Sequence, residues 1–130
     1  TRMGRTAEAL AAQRQSLQRV EKHLELHPED TRALYLAGNA FAGLGAREKA
    51  LDLTRRARAL EPEDSGVLYN VGCNYALLGE SEEAMRCLEK AVGLGFGHKE
   101  WLANDTDLDS LRSNPRFQTL LEKLAHAGEA

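Results

Sequence analysis

The chain has 130 residues, 42% hydrophobic and 28% charged, with a formal net charge of −3 and a mean hydropathy of −0.48. That size and balance fit one soluble domain, and the interleaving of Lys and Arg with Asp and Glu excludes the basic patch that a nucleic acid or an anionic membrane needs in a partner. Two cysteines, with no signal peptide and no spanning apolar run, predict reduced thiols in a cytoplasmic protein.

The first predicted element is a long helix from about Thr6 to Leu26, with Leu10, Leu17, Val20 and Leu24 facing inward to cap one end of the molecule. The chain opens on Thr1 within helical-looking sequence, so it reads as a piece of a longer polypeptide. His23 and His27 lie four apart on this helix, a spacing that can hold a metal, but no second ligand pair accompanies them. They are read as solvated or capping, His27 near a helix C-terminus where positive charge is welcome.

Next, residues 31–64 and 65–98 are two copies of one 34-residue unit. They share Leu34/Leu68, Tyr35/Tyr69, Gly38/Gly72, Ala42/Ala76, Leu44/Leu78, Gly45/Gly79, Glu48/Glu82, Ala50/Ala84, Ala57/Ala91 and Leu60/Leu94. In each copy one apolar stripe (Leu34, Ala37, Phe41, Leu44; then Leu68, Val71, Tyr75, Leu78) has helical spacing, and a second follows (Ala50, Leu53, Ala57, Leu60; then Ala84, Cys87 or Leu88, Ala91, Leu94). Each unit is therefore a helical hairpin. Gly45 and Gly79 stand where a helix ends in a left-handed residue, and Ser81 before Glu82 and Glu83 predicts an N-cap. Gly38 and Gly72 fall inside helices, where glycine costs about 1 kcal/mol against alanine, so a close helix crossing is expected there.

In the tail, Trp101, Leu102, Leu108, Leu111, Phe117, Leu120, Leu121 and Leu124 carry the apolar material, and Asn114-Pro115 starts a last helix running to about His126. Asp105, Asp107 and Asp109 alternate as calcium ligands do, but Ser110 stands in place of the loop's glycine and Arg116 in place of its closing glutamate. Turn and cap chemistry is the reading of this run.

The pattern Leu-x-x-Ala-Gly-x-x-Phe (34–41) with Ala50, Ala57 and Pro62, repeated as Leu-x-x-Val-Gly-x-x-Tyr (68–75) with Ala84 and Ala91, resembles the tetratricopeptide repeat. Leu34 and Leu68 stand where that family prefers tryptophan, Thr54 replaces a large residue, and Phe96 stands where the second copy would have its proline. Met3-Gly4-Arg5 followed by Ala9 resembles the turn and second helix of a preceding repeat. The stretch from residue 100 to 121 resembles the end of tetratricopeptide arrays in large bacterial signalling proteins, fused to kinase, cyclase or winged-helix modules. The resemblance implies an all-α fold: an α-α superhelix, a solenoid of antiparallel helical hairpins, with a long N-terminal helix and a C-terminal capping helix. One domain spanning 1–130 is expected, divided into a truncated repeat (1–30), two repeats (31–64 and 65–98) and a cap (99–130).

No nucleophile, base and orienting group converge in the sequence, so no enzyme, cofactor or metal is expected. Arg55, Arg56 and Arg58 read as a charged outer face rather than a phosphate site. Gly93, Gly95 and Gly97 lack the Lys-Ser/Thr of a phosphate loop. His98 and His126 are isolated, and Cys73 reads as a small packed residue, with a reactive thiol as the alternative. In stacked hairpins the first helices line a concave surface. Arg32, Tyr35, Asn39, Tyr69, Asn70 and Cys73 are accordingly the candidate peptide-binding groove, since Tyr and Asn together grip an extended backbone. Asn39 and Asn70 resemble the asparagines of carboxylate-clamp members of the family, but Tyr35, Glu100 and Asn104 replace the cations that a carboxylate needs.

The expected function is a non-enzymatic protein-interaction or scaffolding module, a regulatory fragment of a larger bacterial signalling protein. Its partner is a protein or peptide, with self-association through an uncovered apolar face as a second route. The alternative is a small-ligand sensory domain controlling an attached kinase, cyclase or transcription factor, with a pocket between groove and tail beside Trp101.

Overall fold

The structure, a computed structural model, describes residues 2–97 and 99–129, and the side chains of all of these except 2–6, 10 and 127–129. The described secondary structure is helical, without strands: α1 (Arg2–Leu26), α2 (Thr31–Gly43), α3 (Arg47–Leu60), α4 (Ser65–Leu77), α5 (Ser81–Gly93), α6 (Lys99–Asn104), a 3-10 helix (Thr106–Leu111) and α7 (Pro115–Glu129). α2 packs on α3 and α4 on α5, and the first hairpin stacks on the second through α2 and α3 against α4. The all-α stack of helical hairpins is thus the observed fold.

Each hairpin turns on its glycine. Gly45 has φ of 78° and Gly79 of 75°, and behind them Ala46 N donates to Phe41 O and Glu80 N to Tyr75 O, both at 2.9 Å. A left-handed residue lets the chain reverse while the last carbonyls keep their partners. Helix starts are fixed by aspartates spaced like the repeat. Asp30 accepts from Ala33 N at 3.1 Å and Asp64 from Val67 N at 3.0 Å. Ser81, expected as a cap, is instead the first residue of α5, whose N-cap position is Glu80, without a side-chain cap bond. The glycine turn closes so tightly that the helix begins at once, leaving Glu82 and Glu83 in the first turn to meet its dipole.

The mid-helix glycines mark equivalent crossings. A Cβ on Gly38 would lie 2.7 Å from Thr54 Oγ1, and one on Gly72 would lie 3.0 Å from Leu88. Thr54, in place of a larger residue, is fully buried and fits where its counterpart Leu88 fits in the second hairpin.

α1 starts earlier than expected and lies on α2 through its C-terminal half. Leu17 and Leu24 are buried and Val20 is half-buried, whereas residues 7–9 and 11–16 are exposed. Leu10, also expected inward, lies outside the described side chains, as His98 lies outside the described residues. At the other end α6, the 3-10 helix and α7 close the stack: α7 packs on α5 and α6, and the 3-10 helix on α4. Leu102, Leu108 and Leu111 are fully buried there, and Phe117 nearly so. α7 runs past His126 to Glu129.

Candidate functional site

α4 is the helix most enclosed by the rest of the chain, since α2, α3, α5 and the 3-10 helix all touch it. Its groove-side residues meet the tail. Asp105 has extended backbone and caps the 3-10 helix by accepting from Asp107 N at 3.0 Å. Its Oδ2 accepts from the Tyr69 hydroxyl and lies 3.8 Å from Cys73 Sγ. Asp107 Oδ2 accepts from Asn39 Nδ2 at 3.2 Å, and the same Nδ2 reaches Asn74 Oδ1 at 3.1 Å. Asn74 Nδ2 donates to Tyr35 O at 2.9 Å and to Thr54 Oγ1 at 3.2 Å.

The result is one polar network running from α3 through α4 and α2 to the tail. Arg112 holds the tail segment in place by donating to the carbonyls of Ala103 and Asp105 and to Asp109 Oδ1, and Ser110 donates to Ala76 O at 3.0 Å. The cap reading of Asp105 accords with this geometry.

The network perturbs its titrating members. Burial, then the hydrogen bond to Asp105, pushes the Tyr69 phenol well above its ordinary value. Burial, then the Asp105 and Asp107 charges, does the same to the Cys73 thiol, and burial raises Cys87. Cys73, Asp105 and Asp107 place one donor atom each within 4.8 Å of one another. Both carboxylates already accept hydrogen bonds and the thiol is held protonated, so this donor set is built for hydrogen bonding.

Because Tyr69 and Cys73 ionise at higher pH when folded, the unfolded chain alone loses their protons once pH passes about 9, the ordinary thiol value, and stability falls from there upward. Urea midpoints are expected to be level between about pH 7 and 8.5 and to decline above about pH 9. At about pH 8 both cysteines should alkylate at least about a hundredfold more slowly than an unfolded control. Rapid labelling of the native protein would show that the Cys73 site opens.

Among the candidate groove residues, the structure gathers Tyr35, Asn39, Tyr69 and Cys73 around this network, with Tyr35 and Asn39 half-buried and Tyr69 and Cys73 buried. Asn70 is turned along its own helix, donating to Gly66 O at 2.8 Å. Arg32 is exposed and borders a different opening, an apolar cleft of about 500 Å³ between α1 and α2 lined by Leu17, Val20, Ala33, Leu36 and Ala40. His23 is paired with Asp30 at 2.6 Å, and Arg58 with Glu83 at 2.5 Å. Asn74, which joins Tyr35 and Asn39, has one signal in the sequence, a polar residue inside the apolar run of α4.

Beside the network lies an open pocket of about 500 Å³ lined by Tyr69, Glu100, Trp101, Asn104 and Asp105. Three rings cluster at its edge: Tyr69 and Phe96 have centroids 4.5 Å apart, Phe96 and Trp101 5.9 Å, and Tyr69 and Trp101 6.5 Å. Trp101 is 60% exposed. An aromatic wall with carboxylates at its rim can take an apolar stem that carries a polar or charged tip.

Compared with known families, residues 65–94, which span α4 and α5, match the tetratricopeptide repeat. No curated protein matches the chain.

Proposed function

We infer that the chain, as a tetratricopeptide-repeat protein, is a non-enzymatic interaction module that holds a peptide or protein segment along α2 and α4. Tyr35 and Asn39 form the accessible part of this groove, Asn70 and the buried Tyr69 and Cys73 form its floor where the tail closes over it, and Arg32 stands at the start of α2, where the groove would meet the cleft against α1. The observation that carries the reading is the pocket at Tyr69 and Trp101, where exposed aromatic surface adjoins polar tips, the composition that protein interfaces favour. We read the chain as one cytoplasmic unit and as a regulatory part of a larger bacterial signalling protein, a reading supported by the likeness of residues 100–121 to the ends of such arrays. Among the described residues, no helix is long and apolar enough to cross a membrane.

The test is selection of twelve-residue peptides on the wild-type protein, followed by titration against Arg32→Ala/Tyr35→Ala. At least about tenfold weaker binding is expected at an unchanged melting temperature. Equal affinity would remove the groove assignment.

Self-association has an observation of its own in the apolar cleft between α1 and α2, where Leu36 is half exposed. Light scattering should give a concentration-dependent mass that Leu36→Glu abolishes; a monomer at every concentration would dismiss this reading.

A further inference from the structure

We propose that the pocket at Trp101 is a receptor for a basic side chain, arginine in preference to lysine, on the segment that the groove binds. This rests on the groove reading above and assigns the chemistry of the partner.

Aromatic faces carry negative quadrupole charge and attract a cation within about 6 Å of the ring, indole most strongly. Trp101 offers such a face, and Phe96 and Tyr69 behind it keep it in place. The rim adds two carboxylates, Glu100 and Asp105; the oxygens of Asp105 also accept from Tyr69, Cys73 and Asp107 N, so Glu100 is the carboxylate most open to a ligand. Among the described ion pairs neither has a cationic partner. Arg112, the guanidinium nearest in the tail's bonding pattern, is committed to two backbone carbonyls and to Asp109. Asn104 spends one amide hydrogen on Glu100 O at 2.9 Å, and its side-chain oxygen can accept from a ligand.

The lining therefore offers a ligand mainly π faces and acceptors, two of them carboxylates, against a single remaining amide hydrogen of Asn104. An anionic segment would be repelled, and a purely apolar one would strip water from two carboxylates without replacing it. A cation on a methylene stem satisfies both walls at once. Guanidinium is favoured over ammonium because it is planar, stacks on indole and donates to two acceptors together.

Trp101 is the single tryptophan of the chain, so its emission reports on this pocket alone. The probes are capped Gly-Gly-Arg-Gly-Gly and its Lys, Gln and Glu counterparts, titrated into the full chain. The arginine peptide is expected to give a saturable change, the lysine peptide a weaker one, and the other two none over the same range. Glu100→Gln should weaken the arginine response about two- to fivefold. Glu100 is exposed and lies outside the core, so the fold tolerates this change.

No saturable response to the arginine peptide, or an equal response to the glutamine peptide, overturns the proposal. Twelve-residue peptides that bind and lose affinity with Arg32→Ala/Tyr35→Ala, yet show no enrichment in basic residues, sink this inference and leave the groove standing. If none of the peptides binds, both fall.

Discussion

Asn74→Ala is expected to lower the unfolding free energy by about 2–4 kcal/mol, read as a drop in urea midpoint at an unchanged slope. Asn74 is 1% exposed, and its amide serves Tyr35 O, Thr54 Oγ1 and Asn39 Nδ2 on two neighbouring helices. Alanine leaves each of these short of a partner, and a buried polar atom without one costs about 1–3 kcal/mol. The sum stays below three full penalties because Asn39 keeps Asp107 at 3.2 Å and the Thr54 hydroxyl can rotate. In the preceding copy the equivalent residue is Ala40, so the substitution makes the repeats more alike in sequence while it unfastens them in space. A cycle with Thr54→Val, which removes one of the same bonds, should show a coupling of about 0.5–2 kcal/mol. An unchanged midpoint for Asn74→Ala would mean that the network contributes nothing to holding the hairpins together.

Phe117→Ala should cost about 3–5 kcal/mol, against a total of about 5–15 kcal/mol for a domain of this kind. Phe117 is 1% exposed on α7, the helix that packs on α5 and α6, so the deletion leaves a void that rigid neighbours fill only in part. The melting temperature should drop by roughly 10–25 °C. Because Trp101 sits in the tail, fluorescence follows that segment while circular dichroism at 222 nm follows all helices. In the wild type the two transitions are expected to coincide; in Phe117→Ala the tryptophan transition should come first. A variant that melts within about 3 °C of the wild type would sink the idea that α7 is a structural cap.

The helices were legible in the sequence because their determinants are local. Stripes at helical spacing, Gly45 and Gly79 at the turns, and Asn114-Pro115 before α7 each act within a few residues, and Gly38 and Gly72 announced the crossings that their missing side chains allow. Ser81 misled because an N-cap depends on the exact residue at which backbone leaves the extended region, which the preceding turn decided. The candidate site was legible in part. Tyr35, Asn39, Tyr69 and Cys73 share a face by periodicity, but what covers that face comes from Asp105 and Asp107, up to 68 positions away along the chain. No local pattern encodes such a pairing. α4 shows the difficulty best: buried from Val67 through Ala76 apart from half-buried Asn70, it has no polar side to set against an apolar one.

The bond between Asn39 and Asp107 spans 68 positions of sequence. On a ribosome adding roughly 5–20 residues each second, Asn39 is made several seconds before its carboxylate exists. From the moment α4 is made until Asp105 follows it, the side of α4 bearing Tyr69 and Cys73 has no lid. A maleimide pulse on chains arrested before residue 105 should therefore tag a thiol that the finished protein conceals.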